Sequence, residues 1–154
     1  MPYVLILTLH SCVRWLVVLI TLANLASALD GIRRRRPWIP SDARLVRAWV
    51  GIVDVQLVLG MAMYFELSPI TEHLPGLAAI WSVPALRFFA IRHPLAMLGV
   101  VLLAHAGGIS ARRLGSAPQR FGRVARSAGT ALLLLVVAVP WPFYAIGRPL
   151  TRLP

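Results

Sequence analysis

The 154-residue sequence has no lysine, a single cysteine and only five acidic residues. One cysteine, Cys12, excludes a disulfide within the chain, and its place in an apolar run predicts a small buried side chain. Charged residues make up 14% of the chain, whereas soluble domains contain roughly 25%. The shortage of charge therefore argues against a soluble globular domain.

The positive charge has a distinctive distribution. All sixteen basic residues are arginine, and the formal net charge is +11. A basic patch on a polar surface would suit nucleic acid, but these arginines cluster between apolar segments, so we exclude nucleic acid and expect a lipid bilayer as the partner. Because 58% of the residues are hydrophobic, one transmembrane domain over residues 1–154 is predicted.

Four apolar segments are long enough to cross the hydrocarbon core, which takes about 20 helical residues. The predicted spans are residues 3–29, 46–67, 93–110 and 124–146. Segment 68–92 is too apolar for an ordinary solvated loop, so a short interfacial helix or re-entrant segment is expected there. The predicted fold class is an all-α, integral membrane four-helix bundle.

The arginines also predict the orientation of the bundle. Eleven of them lie in the connections after the first and third spans, and four lie on the opposite side. By the positive-inside rule, the two basic connections face the cytoplasm. We therefore expect a bacterial inner membrane protein with both termini in the periplasm.

Polar residues within the spans form an outer and an inner group, and such residues mark structural pairs or functional sites because their insertion is costly. The outer group consists of His10 and Arg14 on the first span, Tyr64 and Glu66 on the second, His93 and Met97 on the third, and Pro140–Phe143 (PWPF) on the fourth. All four spans thus converge on one level, which is the main functional signal in the chain.

His10 and His93 are candidate ligands of haem iron, because two neutral histidines on facing helices commonly hold a b-type haem in a bundle. Arg14 lies one turn from His10 and would pair with a haem propionate. Three aromatic residues would enclose the ring: Trp15, Tyr64 and Trp141. The outer group is therefore compatible with a haem b site.

Two other interpretations fit the same residues. In a structural cluster, Arg14 pairs with Glu66, His10 forms a hydrogen bond across the bundle and His93 caps its own helix. In the third interpretation, the site holds a quinone, a proton or another small molecule. The sequence contains no CxxC, HExxH or P-loop motif, so the common zinc, thiol and nucleotide chemistries are not indicated.

The inner group consists of Asn24, Asp54, Gln56 and His105. Asp54 lies seven residues after Arg47 and His105 seven residues before Arg112, which places both about 10 Å from the arginine-rich connections. A lone carboxylate at this depth is expensive, so a hydrogen-bonded Asp54–His105 pair is predicted. The pair is either a structural clamp or part of a function.

Four short sequences are similar to those of a known family: LHSCVRW (9–15), QLVLGMAMYF (56–65), RHPLAM (92–97) and VPWPFYAIGRP (139–149). In this order they resemble small four-helix bacterial membrane proteins, which are often labelled uncharacterised or cytochrome b-like. The resemblance implies a four-helix membrane fold and, through that label, a b-type haem. It singles out His10, Arg14, Trp15, Gln56, Gly60, His93, Pro94, Met97, Pro140, Trp141 and Pro142.

The chain departs from that family at two positions. Arg92 precedes His93 where relatives often carry glutamate, which changes the charge beside the outer site. Asp54 stands where relatives carry a histidine, so the resemblance does not extend to an inner haem site.

The preferred functional hypothesis is a haem b protein that passes electrons between a quinol and an external partner. One alternative is a non-catalytic accessory subunit of a larger membrane complex, and another is a small transporter or proton-relay protein. Gly107 and Gly108 would permit close helix contacts in such a complex or in a homo-oligomer. Whether the protein is an enzyme stays open.

Overall fold

The computed structural model describes residues 2–67, 71, 76–144 and 147, and it is helical through most of them. The α-helices are α1 (Pro2–Arg33), α2 (Pro40–Ala62), α3 (Leu77–Ser82), α4 (Pro84–Arg87), α5 (His93–Arg113) and α6 (Ala117–Ala138). Two π-helical turns, Met63–Leu67 and Phe88–Arg92, extend α2 and join α4 to α5. Single π-turns of this kind are frequent beside functional sites.

Four helical stretches are long and apolar enough to cross a membrane: Pro2–Arg33, Pro40–Leu67, Pro84–Arg113 and Ala117–Ala138. The predicted all-α four-helix membrane fold is therefore confirmed. Within segment 68–92, where a short interfacial helix is expected, the structure has the six-residue helix α3, whereas α4 belongs to the third long helical stretch.

The third and fourth spans differ from their sequence-based boundaries. The stretch containing His93 begins at Pro84, because the π-turn Phe88–Arg92 carries the chain from α4 into α5. That wider turn ends two residues before Pro94, which has no N–H to donate. α6 begins seven residues before residue 124, and its 22 residues cover about 33 Å, so it is long enough to cross a membrane without PWPF.

The four long helices form a ring in which each packs against two neighbours. α1 and α5 both contact α2 and α6. α1 and α5 therefore lie diagonally across the bundle, as do α2 and α6. The core between them consists of Val17, Trp49, Val53, Val100, Ala104, Ala128, Ala131 and Leu135.

Small residues bring α5 close to its neighbours within this chain. A Cβ added at Gly107 would lie 3.0 Å from the Cβ of Ser127 on α6, and one at Gly108 would lie 3.3 Å from Val50 on α2. The two glycines thus serve contacts inside the bundle, where backbones approach closely.

Cys12 is exposed on α1, so the prediction of a buried side chain is wrong. The buried stripe of α1 consists of Val17, Thr21, Asn24, Ala28 and Gly31, which are spaced three or four residues apart. Cys12 lies five residues before Val17 and therefore falls off that face.

Arg36 organises the arginine-rich end of the bundle, by which we mean the end with the α1–α2 and α5–α6 connections. Its Nη1 and Nη2 atoms donate to the two Asp42 carboxylate oxygens at 2.7 and 2.8 Å. These hydrogen bonds raise the pKa of Arg36 above its ordinary value. The guanidinium also lies 4.6 Å from the ring centre of Phe121. Arg36 is therefore a packing residue as well as one of the arginines of a topology signal.

Replacing Asp42 with alanine is expected to destabilise the bundle by about 2 kcal/mol, because it removes a largely buried bidentate partner of Arg36. Asp42 also accepts a hydrogen bond from the Ile39 backbone N–H at 3.0 Å, at the start of α2. Thermal unfolding in detergent measures the loss.

Asp30→Ala is the matched control for Asp42→Ala. Asp30 pairs with Arg34 at 2.6 Å and also accepts a longer hydrogen bond from Arg36 Nε at 3.3 Å, but its side chain is 44% exposed. We expect a change within about 0.5 kcal/mol from this variant. Equal destabilisation by the two variants would contradict a structural role specific to Asp42.

Candidate functional site

A cavity of about 510 Å³ lies in the half of the bundle opposite the arginine-rich end. Pockets for small molecules typically measure about 300–1,000 Å³. Most of its lining is apolar, and the polar side chains that line it include His10, Arg14, Gln56, Tyr64 and His93. We call it the histidine cavity.

His10 and His93 meet across the diagonal of the bundle. Their ring centres lie 6.1 Å apart, and the two rings are inclined by 65°. Because α1 and α5 are opposite each other in the ring of helices, the imidazoles enter the core from opposite sides. The structure thus places both predicted ligands at one level.

His93 is fixed by the end of another helix. Its Nδ1 lies 2.8 Å from the backbone oxygen of Ala138, the last residue of α6. A carbonyl oxygen only accepts, so Nδ1 carries the proton and Nε2 keeps its lone pair. The structural interpretation had His93 capping its own helix, whereas it satisfies a free carbonyl of α6.

Gln56 holds His10. The Gln56 side-chain nitrogen lies 3.1 Å from the His10 backbone oxygen and 3.2 Å from His10 Nε2. The assignment of Gln56 to the inner group is therefore wrong. Gln56 lies one helical turn before Gly60, where an added Cβ would contact the same imidazole, so both residues face His10. The spacing of four between Gln56 and Gly60 is the signal in the sequence that could have found this residue.

Tyr64 ties the two π-turns together beside the cavity. Its hydroxyl donates to the Ala90 backbone oxygen at 3.0 Å, and its own backbone oxygen accepts from Thr71 Oγ1 at 2.7 Å. Met97 lines the cavity, as predicted for a residue one turn from His93.

Arg14 also lines the cavity, with its guanidinium carbon 5.4 Å from the ring centre of Trp15. Glu66 is exposed and does not line the cavity, so the structure does not place it in the predicted outer cluster. The cluster keeps one contribution from each long helical stretch, since Pro140 after α6 completes the wall.

Trp141 does not line the cavity, and neither does Trp15, so the expectation that they enclose a bound ring is wrong. The Trp141 indole N–H donates to the Val136 backbone oxygen at 2.7 Å. Its ring packs against Trp15 at 6.2 Å between centres. Because α6 ends at Ala138, ahead of Pro140, the chain turns and brings Trp141 back against α6.

The structure also brings Asp54 and His105 together, with His105 Nε2 2.8 Å from Asp54 Oδ1. Their side chains are 45% and 43% exposed, and neither lines the histidine cavity. The pair therefore lies on the outer surface where α2 meets α5.

Removing His105 should destabilise the bundle more than removing Asp54. His105→Ala leaves a carboxylate without its partner at membrane depth, whereas Asp54→Ala leaves a neutral imidazole. We expect a loss of about 1–3 kcal/mol for His105→Ala and about half of that for Asp54→Ala. Thermal unfolding in lipid nanodiscs measures both.

The double variant Asp54→Ala/His105→Ala should unfold close to the wild type, because no polar group is left alone. If the double variant is as unstable as His105→Ala, the loss of stability comes from the missing Asp54–His105 hydrogen bond and not from an unpaired carboxylate.

Some predicted features lie outside the described residues: His73 in the external segment, and Arg148 and Pro149 of the final motif. Within the described part of the chain, no group of three or more His, Cys, Asp or Glu side chains could hold a metal ion. A metal ion in the cavity would therefore need the two histidines together with a cofactor that supplies the remaining coordinating atoms. No family model, curated protein or solved structure matches this chain.

Proposed function

We propose that this protein binds haem b in the histidine cavity, where His10 and His93 would hold the iron, and that it transfers electrons in the membrane. The observation that carries the proposal is the distance between the two rings. Imidazoles that each place a nitrogen about 2 Å from one metal ion have ring centres about 6 Å apart. The observed separation is 6.1 Å.

The surroundings of His93 support this role. A histidine that ligates a metal commonly donates its other ring N–H to a backbone carbonyl, which fixes the ring and its tautomer. His93 makes this contact with Ala138 and keeps Nε2 as the ligating atom.

The cavity also suits the rest of the group. Its apolar wall suits a porphyrin face, and Arg14, which lines the cavity, would pair with a propionate, since guanidinium and carboxylate form strong charge-assisted hydrogen bonds. When bound, haem supplies a one-electron couple between ferric and ferrous iron, and the protein residues hold the ring and tune that couple.

We further propose that the electron donor is a lipid-soluble quinol. Three residues of the cavity wall are also exposed on the outside of the bundle: Met61 at 49%, Phe65 at 63% and Leu95 at 64%. At this point the cavity is separated from the bilayer by single side chains. With the arginine-rich end in the cytoplasm, as the positive-inside rule favours, the cavity faces the periplasmic half of a bacterial inner membrane.

The haem content of the purified protein tests the proposal. The full chain, made in haem-replete cells and purified in mild detergent, is expected to carry about one haem b per chain in a pyridine haemochrome assay. Protein from haem-depleted cells, titrated with haemin, should saturate at the same ratio.

A folded but colourless protein that does not bind haemin would contradict the proposal. Together with a stably co-purifying membrane protein, it would favour the accessory-subunit hypothesis. Proton flux in liposomes that is lost in Arg14→Ala would instead favour the proton-relay hypothesis.

A further inference from the structure

The two histidines of the cavity are held in opposite ways. His93 is anchored through Nδ1, the atom that does not face a metal in the proposed site, and its Nε2 lone pair has no hydrogen-bond partner among the described residues. His10 is anchored through Nε2 itself, by the amide of Gln56.

Donor and acceptor chemistry fixes the His10 tautomer. The Gln56 amide nitrogen is oriented by its second hydrogen bond, to the His10 backbone oxygen at 3.1 Å. An amide nitrogen only donates, so His10 Nε2 must accept, and the ring proton lies on Nδ1. His10 Nδ1 is buried and has no hydrogen-bond partner among the described residues.

Gln56 therefore donates to His10 Nε2, which is the same atom that would bind iron in the proposed site. Gln56 is 8% exposed and donates to two atoms of His10, so it remains in place beside the ring. Gly60, one helical turn after Gln56, lies against the same ring, since an added Cβ there would be 3.5 Å from His10 Cε1. The His10 ring thus has an alternative partner on α2.

We infer that His10 is the exchangeable ligand of the proposed haem and that a small neutral diatomic molecule takes its position on reduced iron. This inference rests on the proposed function. In such an exchange His10 Nε2 would accept the Gln56 N–H, as it does in this structure, instead of holding the iron. No electron or proton is transferred, and the His93 contact with Ala138 stays intact.

Carbon monoxide is the probe. Dithionite-reduced, haem-loaded protein is mixed with buffer saturated with carbon monoxide, and the Soret band is followed by stopped flow. The wild type is expected to bind the gas, with a shift of the Soret band, at a rate limited by release of His10.

Gln56→Leu should bind carbon monoxide more slowly, by roughly 3- to 10-fold, because His10 loses the hydrogen bond that competes with iron. Gln119→Leu is the matched control, since it changes the other glutamine of the chain, an exposed residue on α6, and should leave the rate unchanged. His10→Ala should bind the gas faster than the wild type, because no ligand has to leave.

Haem-loaded wild type whose spectrum does not change under carbon monoxide would overturn the inference and leave the proposed function standing. Equal rates for Gln56→Leu and the wild type would overturn the part assigned to Gln56. If Gln56→Leu does not fold, equal rates for His10→Ala and the wild type would overturn the inference. Absence of haem from the wild type would overturn the proposed function itself.

Discussion

Replacing His93 with alanine is expected to lower the haem affinity of the proposed site by at least about 100-fold, because it removes the proposed ligand whose lone pair is already oriented. The measurement is a haemin titration of the purified variant, followed at the Soret band. His10→Ala should lose much less affinity, since His93 still binds the iron.

The control for His93→Ala is the double variant Asp54→Ala/His105→Ala, which removes a histidine from the same helix without touching the cavity. It should bind haem as the wild type does. His93→Ala also leaves the Ala138 carbonyl without its hydrogen bond, so loss of haem by misfolding has to be separated from loss of a ligand. Added imidazole should restore the Soret band of His93→Ala, because it replaces both the ligand and the N–H donor. Failure of imidazole to restore binding in a folded variant would contradict the role of His93.

Gly31→Ala is expected to destabilise the bundle by about 2 kcal/mol, the usual cost of overpacking a core. An added Cβ would lie 2.5–2.6 Å from three atoms of the Phe121 ring. That ring is 1% exposed and is held by Trp38, 4.9 Å away between centres, and by the Arg36 guanidinium. Because these two neighbours fix the ring, we expect the contact between α1 and α6 to open.

Gly51→Ala is the matched control, a glycine-to-alanine change on α2 where an added Cβ meets nothing within 4 Å. Its stability should stay the same or rise by up to about 1 kcal/mol, because alanine is the better helix former. Both variants are measured by thermal unfolding in the same detergent. Equal stability of Gly31→Ala and the wild type would show that Phe121 is not fixed as the structure describes.

The predictable features of the fold depend on the length of each apolar run and on how far along a helix each polar residue lies. Runs of apolar residues identify the four long helices, since a span needs a minimum length. The level shared by His10 and His93 follows from their places near the starts of two helices that run in the same direction. The Asp54–His105 pair follows from equal distances to Arg47 and Arg112, because helical rise is constant.

What the sequence does not reveal depends on contacts between residues far apart in the chain. Arg36 is one of four consecutive arginines in the sequence, and only its contact with Phe121 distinguishes it as a packing residue. The partner of His93 is a backbone carbonyl, which every residue has, so no side-chain pattern points to Ala138.

Irregular backbone limits the prediction in the same way. The π-turns near Tyr64 and Ala90 shift every depth that is counted along α2 and into α5. Trp141 is a residue type that commonly lines cavities, but the turn after Ala138 directs its side chain back against α6. Hydrophobic periodicity describes regular helices and carries no information on where a helix widens or ends in a turn.

The most direct test of the central claim is the low-temperature electron paramagnetic resonance spectrum of the oxidised, haem-loaded wild type. Ligation by both His10 and His93 predicts the low-spin ferric signal of iron with two imidazole ligands, and a high-spin signal in His10→Ala. A wild-type spectrum that is high-spin, or one that does not change in either histidine variant, would contradict the account.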